Sequence, residues 1–186
     1  MSTLTVKNLQ GVAPTNRVTI PAGQTLYAPG HVLQVQQTAK LDAFSSTSGY
    51  PTFVDVTGLS VNITPSSVNS KIYIMVSLNA SGDMWPSGDI YFNLVRNSTN
   101  ICVGTSGTSY NSSFRFVAYA DAAGDTKYNT AQMGYAYLDS PATTSSTTYK
   151  IQGCFQASGY TWCVNRRMVN DASGSTSTIT VMEIAQ

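Results

Sequence analysis

Residues Lys71–Ala80, with the sequence KIYIMVSLNA, carry the pattern that most limits the fold. Aliphatic side chains occupy every second position of this stretch: Ile72, Ile74, Val76 and Leu78. Successive side chains of an extended chain point to opposite faces, so these four lie on one face, whereas a helix would distribute them around its circumference. The stretch therefore predicts a β-strand with one face in a hydrophobic core.

Similar alternation recurs along most of the chain after residue 30, between stretches rich in Gly, Ser and Pro. The other alternating segments are VLQVQQT from Val32, TFVDVTGLSVNITP from Thr52, IYFNLVRN from Ile90, SFRFVAYA from Ser113, AQMGYAYLD from Ala131, TYKIQGCFQA from Thr148 and STITVMEIA from Ser177. Eight to ten strands at this spacing, with no amphipathic helical window, predict an all-β fold. We expect an antiparallel two-sheet β-sandwich of the Greek-key or jelly-roll type.

Three details of this prediction concern loops. We expect Gly58 to divide the segment from Thr52 into two short strands, and residues 81–89 to form a loop. The polar stretch from Ser158 is expected to be a long loop with at most an edge strand at residues 161–164.

The first thirty residues differ from the rest, because Gly and Pro interrupt them every few positions. We interpret residues 1–30 as an extended arm that anchors to a partner, and residues 31–186 as the sandwich domain. The alternative is an untethered leader, since chain termini are often poorly ordered. Apolar residues recur through this segment, and they are the candidate partner-binding positions: Leu4, Val6, Leu9, Val18, Ile20, Leu26 and Tyr27.

Charge and hydropathy exclude several classes of partner. The formal net charge is +1 and charged residues make up 10% of the chain, so we expect no nucleic-acid binding, which depends on clustered Lys and Arg. No apolar run is long enough for membrane insertion, and the N-terminus does not resemble a secretion signal. We therefore expect synthesis in a cytoplasm, with any later exposure by another route.

The residues typical of catalytic and metal sites are few. His31 is the single histidine, and we expect it to be structural. Cys102, Cys154 and Cys163 lack metal-ligand spacing, although Cys154 and Cys163 remain a candidate disulfide pair. The carboxylate pairs Asp83/Asp89 and Asp121/Asp125 suit turn formation, Ca²⁺ binding or acid–base work, in that order. We predict that the chain is not an enzyme and needs no metal or cofactor.

Two sets of aromatic residues lack an obvious role in a sandwich. Four residues in predicted loops are candidates for receptor binding, or alternatively for closing the open end of the sandwich: Trp85, Tyr110, Tyr160 and Trp162. A second set are trimer-interface candidates, or alternatively core residues: Tyr73, Met75, Tyr135, Tyr137 and Tyr149. An apolar surface on a second side of a sandwich favours burial between subunits.

Three segments together resemble a known family: HVLQVQQTAKLDAFSSTS with FVDVTGLSVNITPSSVNSKIYIMVSLN from His31 onward, YLDSPATTSSTTYKIQG from Tyr137, and STITVMEIAQ at the C-terminus. They are similar to small TNF/C1q-like jelly-roll modules in virion proteins of tailed bacteriophages, particularly cyanophages and marine phages. The resemblance covers about Val32 to Gln186. It implies a homotrimer on a virion, either at the tip of a tail fibre or tailspike or on the capsid as a cement (decoration) protein.

The length of the N-terminal segment bears on this choice. About thirty residues are short for a fibre shaft, which favours a cement protein whose arms bind the major capsid protein at the outer capsid surface. The alternative is a tail fibre or tailspike tip module that recognises a host surface glycan. The family picture includes no catalytic residues.

Overall fold

The computed structural model describes residue 11 and residues 28–82, 87–107, 109–119, 130–169 and 173–186. These residues contain eleven strands and no helix. The strands are β1 Val32–Lys40, β2 Phe44–Ser46, β3 Val54–Ile63, β4 Lys71–Gly82, β5 Ser87–Arg96, β6 Thr99–Ile101, β7 Phe114–Tyr119, β8 Ala131–Asp139, β9 Thr147–Phe155, β10 Trp162–Val164 and β11 Ser177–Ile184. The predicted all-β class is confirmed.

The eight longer strands form two antiparallel sheets with the connectivity of a jelly roll. The first sheet has the order β1-β11-β4-β8. The short strand β10 pairs with the end of β4, on the same side as β11, and β2 pairs with β10. The second has the order β3-β9-β5-β7, with β6 also beside β5. The chain crosses between sheets at most connections, so that the first strand lies beside the last. This is the double Greek-key arrangement of jelly rolls, and it confirms the predicted sandwich.

The alternation in β4 places its aliphatic side chains in the core, as predicted. All four are buried, at 0–4% exposure, and they face the inward side chains of the second sheet: Leu59, Val61 and Ile63 of β3, Ile90, Phe92 and Leu94 of β5, and Tyr149, Ile151 and Phe155 of β9. Hydrophobic burial of this kind is the main stabilising term of the fold.

Two of the predicted loop boundaries are wrong. β3 is one strand rather than two, and the positive φ of Gly58 (84°) lies at a bulge in its pairing with β9, where the register shifts between Asp55 and Ser60. A bulge lets a strand continue across a glycine that would otherwise interrupt it. Residues 81–82 belong to β4 and residues 87–89 to β5, so these five positions of the predicted loop are strand.

A partly buried ion pair joins the two sheets at one end of the sandwich, with Arg96 27% exposed and Asp139 6% exposed. Asp139 at the end of β8 accepts two hydrogen bonds from Nη1 of Arg96 on β5, both at 2.9 Å. The same carboxylate accepts a bond from the hydroxyl of Tyr149 on β9, at 2.7 Å. Burial and the neighbouring Asp139 carboxylate raise the pKa of Tyr149. Because the Asp139 carboxylate is buried, loss of the Arg96 contact would leave its charge unpaired, so the contact helps to hold the two sheets together.

Glu183 is a second carboxylate at the same end of the first sheet, since it and Asp139 both lie opposite Ile72 in the strand registers. Its fully buried carboxylate accepts hydrogen bonds from the Gln34 side chain (2.6 Å), from the backbone N–H (2.7 Å) and hydroxyl (2.6 Å) of Ser66, and from the Ser70 hydroxyl (2.7 Å). Burial by itself would raise the pKa of Glu183, but these hydrogen bonds outweigh it and hold the pKa below the ordinary value of 4.5. The carboxylate thus ties β11 and β1 to the turn after β3.

Stability is therefore expected to depend on the ionisation of Glu183. A carboxyl whose pKa is lower in the folded chain contributes stability above its unfolded pKa, and the contribution is lost as the pH falls through the folded pKa. Glu183→Gln should lower the free energy of unfolding by about 2 kcal/mol at pH 7. The difference between wild type and variant should shrink as the pH falls below about 4.5. Urea denaturation across pH 3–7 measures it.

The exposed Asp55 provides a matched control for this measurement. It accepts hydrogen bonds from Lys150 (2.8 Å) and Gln152 (2.7 Å) on the surface. Asp55→Asn should cost less than about 1 kcal/mol, because exposed pairs contribute little. Equal losses for the two variants, or a pH-independent loss at Glu183, would contradict the assigned role of the buried carboxylate.

Most of the proposed arm lies outside the described residues. Of residues 1–30, the structure describes Gly11 and residues 28–30. The backbone N–H of Gly30 donates to the carbonyl of Ala185 (2.8 Å), and His31 pairs with Ala185 as well. Gly30 and His31 thus contact the end of the chain, while the arm and the domain boundary at residue 31 stay predictions.

Candidate functional site

The outer face of the first sheet carries a row of apolar side chains. The strand registers place Leu138 of β8, Tyr73 of β4, Met182 of β11 and Val35 of β1 side by side across all four strands. Leu138 and Val35 are 47% and 52% exposed, and Met75 in the adjoining row is 42% exposed. Two small residues follow on β8: Ala136 lies beside Met75, and Gly134 lies beside Ser77. The row is therefore continuous and accessible from solvent.

The outer face of the second sheet has a different chemistry. On β3 its exposed side chains are polar or charged, including Asp55, Ser60 and Asn62. On β9 they face Lys150, which pairs with Asp55 at 2.8 Å, and Thr148, whose hydroxyl donates to Asn62 at 2.7 Å. A solvated sheet face normally looks like this. The outer face of the first sheet also carries polar pairs, such as Gln37 with Thr180 at 2.8 Å, but its apolar row is the candidate contact surface.

The structure separates the predicted trimer-interface residues into three groups. Tyr73 and Met75 lie on this outer face. Tyr135 and Tyr137 point the other way, half-buried against the core, and Tyr135 stacks on Phe114 at a centroid distance of 4.7 Å. Tyr149 is fully buried and bonded to Asp139. Its assignment to an interface is wrong, because the alternation of β9 turns it inward and leaves no accessible surface.

A cleft of about 570 Å³ lies on the opposite side of the molecule, where the described residues of loop 102–113, which are 102–107 and 109–113, cover the outer side of β5 and β7. Its lining combines one ion pair with aromatic and neutral polar side chains: Asp89, Tyr91, Gly104, Ser106, Gly107, Ser109, Tyr110, Asn111, Ser112, Phe114, Arg115 and Gln156. The loop is braced by the Asn111 side chain, which bonds both the N–H and the carbonyl of Gly107 (3.1 and 3.2 Å). The wall of the cleft is therefore held in place by hydrogen bonds within the loop.

Three charged or phenolic groups meet in the cleft. Oδ2 of Asp89 accepts hydrogen bonds from Nη1 of Arg115 (2.9 Å) and from the hydroxyl of Tyr91 (3.0 Å). Burial, followed by the bond to the Asp89 carboxylate, raises the pKa of Tyr91. The Tyr91 ring stacks on Tyr110 at 5.1 Å with an interplanar angle of 8°, and Tyr50 contacts both rings edge-on. Sequence spacing places Asp89 and Tyr91 on one strand face, but Arg115 joins them only through the β5–β7 register.

The four predicted loop aromatics do not form one surface. Tyr110 is 39% exposed and lines the cleft. Tyr160 is 42% exposed, stacks on Phe155 at 5.9 Å, and lies outside the cleft lining. Trp85 lies outside the described residues. Trp162 is fully buried in β10, so its assignment as a receptor-binding residue is wrong: β10 pairs with β2 on one side and β4 on the other, which turns the indole into the core.

The remaining chemistry-bearing residues show no cluster. Among the described residues, no three His, Cys, Asp or Glu side chains are grouped closely enough to hold a metal ion. The three cysteines are free, so the candidate Cys154–Cys163 bridge is not formed, and burial raises the pKa of Cys154 to about 12. The His31 side chain is exposed, while its backbone pairs with Ala28 and Ala185. Of the paired carboxylates, Asp83, Asp121 and Asp125 lie outside the described residues.

No helix in the described part of the chain is long and apolar enough to cross a membrane. No protein-family model matches the chain, and no curated protein matches it.

Among solved structures, the chain is similar to that of the infectious bursal disease virus Gx strain, with a TM-score of 0.39 and 16% identity over 91% of this chain and 46% of that one. It is also similar to the VP2 subviral particle of that virus, with a TM-score of 0.38, 15% identity and coverage of 91% and 42%. The chain thus spans less than half the length of these proteins.

Proposed function

We propose that this chain is a structural protein of a virus particle: a homotrimeric cement protein that decorates the outer surface of a phage capsid. The observation that carries the proposal is the apolar row on the outer face of the first sheet. The jelly-roll connectivity and the resemblance of the segments from His31, Tyr137 and Ser177 to phage virion modules support it. No catalytic role is part of the proposal.

The apolar face supports association of identical copies. Its centre consists of Tyr73, Met75, Leu138 and Met182, and the small residues Ala136 and Gly134 follow on β8 beside Met75 and Ser77. Aromatic residues and Met are enriched in the buried centre of interfaces, where charged residues are depleted. Small residues let a neighbouring backbone approach closely. Three copies, as the resemblance implies, would close this face around an axis and leave no apolar row in solvent.

The proposed role of the N-terminal segment is to bind the shell. Short strands or extended segments with alternating apolar residues bind by adding to the edge of a neighbouring sheet. Binding that occurs only to assembled capsid protein stabilises the assembled state by mass action. The major capsid protein is therefore the proposed partner of the arm.

Truncation of the arm tests this role. Removing residues 1–27 spares the Gly30 N–H that bonds Ala185, so we expect the truncated chain to keep the number of subunits and the melting temperature of the full chain. It should no longer bind capsid shells that lack the protein, because its anchor is gone. Co-sedimentation with such shells, quantified by gel densitometry, measures the loss.

A full-length chain with a less apolar arm is the matched control. Serine replaces all of the candidate arm residues in this variant: Leu4, Val6, Leu9, Val18, Ile20, Leu26 and Tyr27. Its arm keeps its length, so loss of binding here assigns the anchor to apolar contacts. Wild-type decoration by the truncated chain would refute the role of the arm.

A tail fibre or tailspike tip is the second candidate function, and the cleft beside Tyr110 favours it. The two candidates place the protein differently on the particle. Labelling of purified virions with an antibody against the sandwich domain distinguishes many copies over the shell from a few copies at the tail.

A further inference from the structure

We propose that the cleft lined by Asp89, Tyr91, Tyr110, Arg115 and Gln156 is a binding site for an uncharged saccharide. It lies on the second sheet within one chain, away from the apolar face of the first sheet. The inference therefore does not depend on the trimer or on the place of the protein on the particle.

The polar groups of the cleft fit the hydroxyl groups of a sugar. The Tyr91 hydroxyl and Nη1 of Arg115 both donate to Oδ2 of Asp89. Oδ1 of Asp89 accepts no hydrogen bond from any described residue. Arg115 uses Nη1 for this contact, and its side chain is 61% exposed. Its other N–H groups have no described acceptor. An acceptor and a donor held side by side match two neighbouring hydroxyl groups, each of which donates and accepts.

Neutral side chains extend this pattern around the cleft. Ser106, Ser109 and Ser112 supply hydroxyl groups, and Gln156 supplies an amide. Their side chains make no hydrogen bond to any other described residue in the structure, so their donors and acceptors are available. A volume of about 570 Å³ falls within the range of small-molecule sites. Several convergent neutral polar groups favour a polyhydroxylated ligand over an apolar one.

The aromatic part of the cleft supplies the apolar contact that sugars need. Tyr110 keeps 39% of its surface exposed while Tyr91 stacks against it and holds it in place. A pyranose ring presents a face of C–H groups, which packs against an aromatic ring because the ring face carries partial negative charge. A pre-positioned ring loses little conformational freedom on binding.

The charge of the cleft selects an uncharged ligand. Asp89 and Arg115 form a 2.9 Å pair and neutralise each other. The other lining residues carry no ionisable charge apart from the phenols of Tyr91 and Tyr110. A sialylated or phosphorylated sugar would find one guanidinium that is already paired to a carboxylate, so it gains no net attraction.

The test uses an array of immobilised neutral, sialylated and phosphorylated oligosaccharides, including bacterial surface polysaccharides, probed with the full-length protein. We expect binding to one or more neutral members, with affinities then measured by titration of the free sugar. Tyr110→Ala and Asp89→Asn should each weaken that affinity about tenfold. Tyr160→Ala, an equally exposed tyrosine outside the cleft, should change it less than twofold.

Each outcome decides the proposal. Loss of binding in both cleft variants, with melting temperatures and masses unchanged, supports the site. Asp89→Asn keeps the side-chain shape, so it reports on the polar contact even where Tyr110→Ala disturbs loop 102–113. No binding to any saccharide, binding confined to charged sugars, or binding that depends on Tyr160 and not on Tyr110 would overturn it. None of these results alters the expected trimer mass.

Discussion

Replacing Met75 and Leu138 together by aspartate is expected to convert the proposed trimer into a folded monomer. Both side chains are accessible on the outer face of the first sheet, so the isolated chain accommodates the change. In a trimer, three copies of the face would bury six new carboxylates without partners, and each costs several kcal/mol to desolvate. Association should weaken at least about a thousandfold. Light scattering at micromolar concentration should then give a mass of 19.9 kDa.

The control for this variant places the same charges on the other sheet. Ser60→Asp with Thr64→Asp adds two exposed carboxylates, one within β3 and one just beyond its end. This protein should keep the mass of the wild type, which shows that added negative charge alone does not dissociate the trimer. A trimeric M75D/L138D protein would rule out the apolar row as the interface. Unchanged circular dichroism verifies that each variant is folded.

Trp162→Ala should destabilise the chain by about 3–5 kcal/mol, the range for truncating a buried aromatic side chain. The indole is fully buried, contacts Phe44 at 5.3 Å and meets Phe92 edge-on at 5.8 Å. It also faces Gly153, where an added Cβ would lie 2.6 Å from the ring. The indole occupies the space that a side chain at residue 153 would need. Trp162→Ala therefore leaves a cavity between the sheets. Urea denaturation measures the loss.

Trp162→Phe separates packing from hydrogen bonding. The indole Nε1 has no hydrogen-bond partner among the described residues, so phenylalanine removes no favourable polar contact and relieves an unpaired N–H. We expect a loss of roughly 1–2 kcal/mol from the smaller ring. Similar stability of the alanine variant and the wild type would mean that β10 is not part of the core.

Local alternation was enough to predict the strands that contribute one face to the core. In β4, the β-branched and leucine side chains at even positions determine both the strand and its buried face. Alternation did not predict β10 as a core strand, because three residues are too few to show a period of two. Trp162 is buried by pairing with β2 and β4, which lie far away in the sequence. Gly58 misled the prediction for a related reason, since the pairing with β9 continues past the bulge.

The candidate surfaces show the same limit. Tyr73 and Met75 could be assigned to an outer face from β4 alone. The full row could not, because Leu138, Met182 and Val35 come together only through three strand registers. In the cleft, Asp89 and Tyr91 are two residues apart and share a strand face, but Arg115 and Tyr110 reach them through the pairing with β7 and through loop 102–113. Surfaces built across strands need the register, which a single sequence does not contain.

The mass of the wild-type chain in solution tests the central claim most directly, that copies of this protein bury the apolar face of the first sheet against each other. Sedimentation equilibrium across a dilution series from micromolar to nanomolar should give three times the 19.9 kDa of one chain, with Met75 protected from peroxide oxidation. A stable 19.9 kDa species with Met75 freely oxidised would contradict it.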